Sequence, residues 1–276
     1  LVELMRDIAG RTVRVIEVET QQPSPYARSL VFGYIGQFMY EGDQPLAERR
    51  AAALALDATL LAELLGTAEL RELLDPDAVA EVEAELAWLT PQRRLGDVEG
   101  VADALRVLGD LTTDELLTRG ATPPMLADLE EQRRAVRVRI AGDERWLAIE
   151  DCARVRDALG VPLPLGVPHA FLEPVAEPLT DLLARYARRR GPFVTADAAI
   201  RLGLGSAVVD AELSRLMGAG RLVRGEFRPG GTGAEWCDPE VLRALRRRSM
   251  AKLRGEIEPA PQASLARFLP AWQGVG

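Results

Sequence analysis

The 276 residues, 47% hydrophobic and 28% charged, are ample for a buried core and suggest two or three compact units of ordinary globular composition. A net charge of −8 by itself argues against a general nucleic-acid coat protein. The longest apolar runs, such as Ala51 to Leu56, fall far short of the roughly 18 residues of a membrane span, and no basic-then-apolar leader is present.

Leu1 reads as mid-helix, which suggests a domain excised from a longer chain. Gly10 stops that helix, and residues 12–18 alternate as a strand. Pro23-Ser24-Pro25 breaks the chain, and Ser24 is placed to cap a helix over 26–40 that carries Tyr26, Phe32, Tyr34, Phe38 and Tyr40. Leu/Ala/Glu-rich helices follow to Leu89, one opened by Asp75-Pro76, with apolar residues at helical spacing, as scaffold helices around a local core require.

Beyond Arg94 a repeat emerges. The first copy has a helix over 98–108, the stretch Gly109-Asp110-Leu111-Thr112-Thr113-Asp114-Glu115-Leu116, and a helix over 123–134. A strand over 136–140, a Gly142-Asp143 turn, a strand over 145–149 and a helix to Leu159 complete it. The second has a helix over 179–189, the stretch Gly191-Pro192-Phe193-Val194-Thr195-Ala196-Asp197-Ala198, and a helix over 206–217. A strand over 221–228, a Gly-rich tip, a strand through Trp236 and a helix from Pro239 complete that one, and Trp146 and Trp236 fall at matching places. Three helices and a two-stranded ribbon are the order of a winged helix, and two in tandem strengthen the assignment. The expected fold is therefore mainly α with small β. A helical scaffold over 1–92 precedes winged-helix units over 93–170 and 171–255, and a tail over 256–276 docks on a neighbouring domain.

Charge is unevenly spread. Residues 41–92 hold 12 acids and 3 bases, whereas residues 181–254 hold 15 bases and 8 acids, which confines the basic footprint to the last third. Lys252 is the only lysine, so phosphate would be met by forked, always-charged guanidinium groups. Single-stranded nucleic acid is held by rings that stack on bases beside arginines that neutralise phosphate, which singles out Tyr26 with Arg28, Arg49 and Arg50. The second wing offers Arg221, Arg224, Arg228 and Thr232 at a Gly-rich tip able to approach a backbone. The helix before it carries Asp210 and Glu212 on its outward face, which argues against base reading in a major groove. The run Arg246-Arg247-Arg248 reads as a solvated helix face.

Chemistry of other kinds finds little support. Cys152 and Cys237 are too few for a disulfide framework and fit a reducing, cytoplasmic setting. His169 is the lone histidine, which leaves a histidine metal site or a Ser/His triad unsupported. The tip Gly230-Gly231-Thr232-Gly233 lacks the Lys-Ser/Thr ending of a Walker loop and leads into a strand. No catalytic constellation and no cofactor site is expected in this segment.

Four strings carry a likeness. Glu19-Thr20-Gln21-Gln22-Pro23-Ser24-Pro25-Tyr26-Ala27, Phe38 through Arg50, Gly225 through Cys237 and Arg267 through Gly274 resemble the helicase-associated region of bacterial large helicase-related proteins (Lhr). The resemblance implies a superfamily-two, ATP-driven helicase that moves 3′ to 5′ on single-stranded DNA and unwinds RNA–DNA hybrids and duplexes in DNA repair. It places two RecA-like motor domains and a winged helix, with their ATP and Mg, elsewhere in the parent chain. The family's stacking aromatic would be Tyr26. The winged-helix pair also looks like that of bacterial winged-helix DNA glycosylases. The reading is an accessory domain that grips single-stranded DNA, touches no membrane and is not a complete catalyst. Its rivals are a glycosylase-like duplex binder and a protein-interaction module.

Overall fold

The computed structural model describes residues 73–257 continuously, together with Arg6, Gly10, Thr12, Leu30, Arg71, Phe268 and Trp272. The chain divides into two compact units, Leu1–Gln44 and Pro45–Gly276. In the first, the Gly10 amide donates to the Arg6 carbonyl at 2.8 Å, where the sequence ends a helix. The strand over 12–18, the aromatic helix over 26–40 and the tail beyond Ile257 fall outside the described residues, save for the isolated positions named.

Among its described residues the second unit is mainly α with two small antiparallel sheets. Helix α1 (Pro76–Leu86) starts where expected: the Asp75 carboxylate accepts from the Ala78 amide at 2.7 Å and Pro76 fills a position that needs no donor. Helices α2 (Val98–Leu108), α3 (Thr113–Thr118) and α4 (Pro123–Glu131) follow. Asp97 caps α2, and Thr112 with Glu115 forms a reciprocal capping box on α3.

Strands β1 (Ala135–Ile140) and β2 (Asp143–Ala148) then pair as a hairpin. Its turn sits at Ala141-Gly142, one residue earlier than the sequence suggested. Ile140 pairs with Asp143, and both turn residues take positive φ (54° and 92°), as a two-residue turn matched to strand twist requires. The hairpin is buried on both sides. Trp146 packs among Leu105, Leu116 and Leu129, and Leu147 packs among Ile140, Cys152 and Val155 of the next layer. That second cluster, built with helix α5 (Cys152–Leu159), reaches Leu182 and so joins the two winged helices.

Helices α6 (Pro178–Arg188), α7 (Thr195–Leu202) and α8 (Ser206–Gly218) repeat the order around Leu183, Phe193, Leu213 and Trp236. The inward face of α8 is Val209, Leu213 and Leu216, at the spacing read from the sequence. Strands β3 (Val223–Gly225) and β4 (Glu235–Cys237) form the second wing, and α9 (Pro239–Ile257) closes it. The repeat extends to single bonds. The Trp146 indole donates to the Thr113 hydroxyl at 3.0 Å and the Trp236 indole to Thr195 at 2.9 Å. Leu111 bridges to Trp146 as Phe193 bridges to Trp236, an isolated bridge beside each two-stranded wing.

Helix α9 runs back along α1. Arg248 pairs with Glu81 and Glu85 at 3.2 and 3.0 Å, and Lys252 pairs with Glu81 and Asp75 at 3.0 and 3.3 Å. The basic run is therefore not one solvated face: Arg247 is exposed, Arg248 is paired and Arg246 is buried. An acidic helix and a basic helix distant in sequence partly neutralise one another. Both cysteines are free and buried. No described helix is long and apolar enough to cross a membrane.

Candidate nucleic-acid interface

The second wing is shorter than its sequence suggested, and one side chain explains why. The buried Glu235 carboxylate accepts from the amides of Phe227 and Arg228 at 2.9 and 2.8 Å, taking the place of ladder bonds that β3 would otherwise extend. The Arg221 amide donates to the Leu216 carbonyl and closes α8, so β3 begins later as well.

The four wing candidates are not equivalent. Arg228 is tied down: its Nε donates to the Pro192 carbonyl at 2.7 Å and a terminal nitrogen meets Glu83 at 2.5 Å. Arg71 also holds the wing, through the Gly233 carbonyl at 2.8 Å and Glu226 at 3.2 Å. Arg221 and Thr232 are exposed. Arg224 is exposed too, with its guanidinium 5.0 Å from the Trp236 ring centre, as Arg137 lies 5.5 Å from Trp146 in the first copy. Tyr26, Arg28, Arg49 and Arg50 lie outside the described residues. On α8, Asp210 accepts from the Thr195 hydroxyl at 3.0 Å and Glu212 is held by Arg215.

A second basic surface was not singled out in the sequence. Helix α1 ends at Leu86, and two residues on Trp88 takes φ of 57°, a left-handed conformation that a bulky side chain rarely adopts. Its half-buried indole lines a groove of about 370 Å³ with Arg93, Arg189, Arg247 and Arg248. Arg93 lies 5.3 Å from the indole centre. Glu85 is the one acid in that lining, and it pairs with Arg248 at 3.0 Å. Arg93, Arg189 and Arg247 have no carboxylate partner among the described residues. Burial lowers the Arg189 guanidinium below its ordinary value, and the like charges of Arg188, Arg93 and Arg185 push the same way. An anion seated here would relieve that crowding.

The groove brings together the end of α1, the end of α6 and the middle of α9, which no local pattern predicts. The available signals were an aromatic beside Pro91 and Arg93-Arg94, and the run Arg188-Arg189-Arg190 at a helix C-terminus. Among the described residues no group of three His, Cys, Asp or Glu side chains is placed to hold a metal ion.

Comparison with known proteins agrees with the fold. Residues 72–174 match the family model for the winged-helix domain of large helicase-related protein. The whole chain is 55% identical to the "Lhr helicase/ probable uracil glycosylase" of Mycolicibacterium smegmatis. It is 40% identical to the "Lhr helicase/uracil glycosylase" of Escherichia coli K12. In each comparison all of this chain is covered but only 18% of the relative, so the chain spans under a fifth of the curated relatives it matches. Over its whole length the chain is thus similar to one segment of large helicase-related (Lhr) proteins, a segment that includes their winged-helix domain.

Proposed function

We propose that this segment grips single-stranded DNA for an Lhr-type helicase that is driven by ATP and Mg in motor domains elsewhere in its chain and moves 3′ to 5′. The observation that carries the reading is the Trp88 groove, where an indole shares a lining with three arginines that meet no carboxylate among the described residues. Stacking on an aromatic ring contributes roughly 1–3 kcal/mol per base, and arginines along the groove track the backbone. Arg221, Arg224 and Thr232 would meet phosphates at the flank of the wing, with Arg228 holding the wing in place rather than reaching out. Tyr26, Arg28, Arg49 and Arg50 are further candidate contacts, on the sequence context of Pro23-Ser24-Pro25. An RNA–DNA hybrid or duplex enters this scheme as the substrate of the parent, which would act in DNA repair in the cytoplasm.

The test is binding of the chain to a fluorescent oligothymidylate, followed by anisotropy from low to physiological salt. Binding that weakens steeply with salt is expected. Absence of binding at low salt would remove the strand-gripping role.

A second reading, a glycosylase-like role, draws on the printed names of the two relatives. It needs a carboxylate free to act beside a base pocket. In the cleft between the winged-helix units Glu83, Asp110 and Glu115 each sit against an arginine, and Asp197 accepts from the Val194 amide. Release of uracil from an oligonucleotide by the purified chain would favour this reading over the first.

A further inference from the structure

The two winged helices meet across a cleft of about 460 Å³, a volume suited to a small molecule. Its lining holds six arginines and four carboxylates. Four of the arginines are committed: Arg201 to Glu115 and Asp110, Arg185 to Asp151, Arg228 to Glu83, and Arg119 to the carbonyls of Ala87 and Glu115. The four carboxylates are committed as well, as described above. Arg189 and Arg190 remain, and neither meets a carboxylate among the described residues.

Arg190 is placed unusually. Its guanidinium lies 3.6 Å from the centre of the Tyr186 ring, one helical turn back, and its Nε is buried with no hydrogen-bond partner among the described residues. The Tyr186 hydroxyl is also buried without a partner among the described residues, in a residue only 9% exposed. Phe193 meets the Tyr186 ring edge-on at 5.0 Å, and Leu111 and Leu182 add apolar lining. Two orphaned polar groups in one cleft each leave a cost unpaid by the protein alone. A guanidinium stacked on a ring keeps its in-plane donors free, and that fork matches the oxygens of a phosphate.

We infer that this cleft is a second, separate site that takes a phosphate monoester carried on a nucleoside, with Arg189 and Arg190 supplying the counter-charge and Tyr186 Oη a hydrogen bond. The nucleoside lies against the apolar part of the lining formed by Leu111, Leu182 and Phe193. The monoester belongs either to the end of a strand or to a free mononucleotide. The inference goes beyond the Trp88 groove and does not depend on it, although Arg189 borders both.

The test is calorimetric titration of the full chain with thymidine 5′-monophosphate, with thymidine as the control. The monophosphate is expected to bind at least about tenfold more tightly than thymidine, since a charge-assisted fork is lost without the phosphate. Tyr186→Phe keeps the ring and its stack but removes the hydroxyl, and should weaken binding about three- to tenfold while the melting temperature of the unliganded chain holds or rises, because an orphaned buried hydroxyl is lost. Arg190→Lys keeps the charge without the fork and should weaken it as well, which provides a second reading where Arg190→Ala fails to fold. Trp88→Ala should leave monophosphate binding unchanged while it weakens oligothymidylate binding, so the two sites fail separately. Displacement of the monophosphate by 5′-phosphorylated oligothymidylate but not by its unphosphorylated twin makes a strand end the ligand. Retention against both makes it the free nucleotide. No binding, equal affinity in Tyr186→Phe and Arg190→Lys, loss of binding in Trp88→Ala, or equal displacement by both oligonucleotides overturns the site.

Discussion

Arg201 of the second winged helix sets its guanidinium 2.7 Å from the Glu115 carboxylate of the first. The same arginine reaches Asp110 at 3.1 Å, and Asp110 also holds the buried Arg145 at 2.7 Å. Arg145 in turn donates to the Arg201 carbonyl at 2.9 Å, so the network closes across the junction. Glu115 serves twice, since its carboxylate also caps α3 through the Thr112 amide. The junction between the units is therefore tied to the first turn of a helix within one of them.

Burial pushes the Glu115 carboxyl up, but the hydrogen bond and charge of Arg201, helped by Thr112 and Arg119, reverse this and hold it below the usual range. A carboxyl depressed in the folded state contributes stability above its unfolded pKa, near ~4.3, and loses it as pH falls through the folded value. Arg201→Met should therefore destabilise the chain at pH 7 and flatten the loss of stability between about pH 5 and pH 2. Urea unfolding across that range checks both. A double-mutant cycle with Glu115→Gln should return a coupling of about 0.5–3 kcal/mol. Additive effects would mean that the two units are not coupled through this pair.

Thr113 and Thr195 accept the indole protons of Trp146 and Trp236, both buried. Thr195→Val keeps the shape and leaves the Trp236 indole without an acceptor, a cost of about 1–3 kcal/mol. Thr113→Val should cost a similar amount. Thermal unfolding of the two variants measures how far the repeat is energetic as well as geometric. A large effect in one copy alone would show that the other finds a substitute acceptor.

Glu235 holds the second wing through two backbone amides. Glu235→Ala removes the carboxylate oxygen that accepts from both amides and should speed hydrogen exchange at Phe227 and Arg228 well beyond that at Val223, which stays paired to Cys237. Gly225 lies under the Phe227 ring, where an added Cβ would sit 2.8 Å from its Cζ, so Gly225→Ala should disturb the same segment. Unchanged exchange at Phe227 in both variants would mean that the wing is held chiefly by Arg71 and Glu83.

What the sequence discloses here is local and periodic. The tandem units are legible because Trp146 and Trp236 each lie in the second strand after a glycine-bearing turn, and because α8 shows its inward face at helical spacing. Capping at Asp75 and at Thr112 with Glu115 is legible for the same reason, since cap and partner lie three residues apart. The length of β3 is not legible, because it depends on where Glu235 spends its carboxylate. Nor is the commitment of Arg228, whose partner Glu83 lies 145 residues away. Trp88 reads as one more apolar residue at a helix end, and only the docking of α9 and α6 beside it gives it arginine neighbours.

Trp88 and its arginines should separate in their effect on DNA binding. Trp88→Phe keeps a smaller ring, whereas Trp88→Ala removes stacking worth roughly 1–3 kcal/mol, or about 5- to 140-fold in affinity for oligothymidylate. Neither changes a charge, so the slope of log affinity against log salt should stay as it is. Arg93→Ala with Arg189→Ala removes two candidate phosphate contacts and should lower that slope by about 1.4, at about 0.7 per contact on a single strand. Trp88 also packs against the first core, so each variant needs a melting curve alongside its binding curve. A fold that is intact while affinity drops in Trp88→Ala and slope drops in the arginine pair assigns stacking and charge to their separate atoms. If the slope falls in Trp88→Ala instead, the indole acts by positioning the arginines and does not itself meet a base.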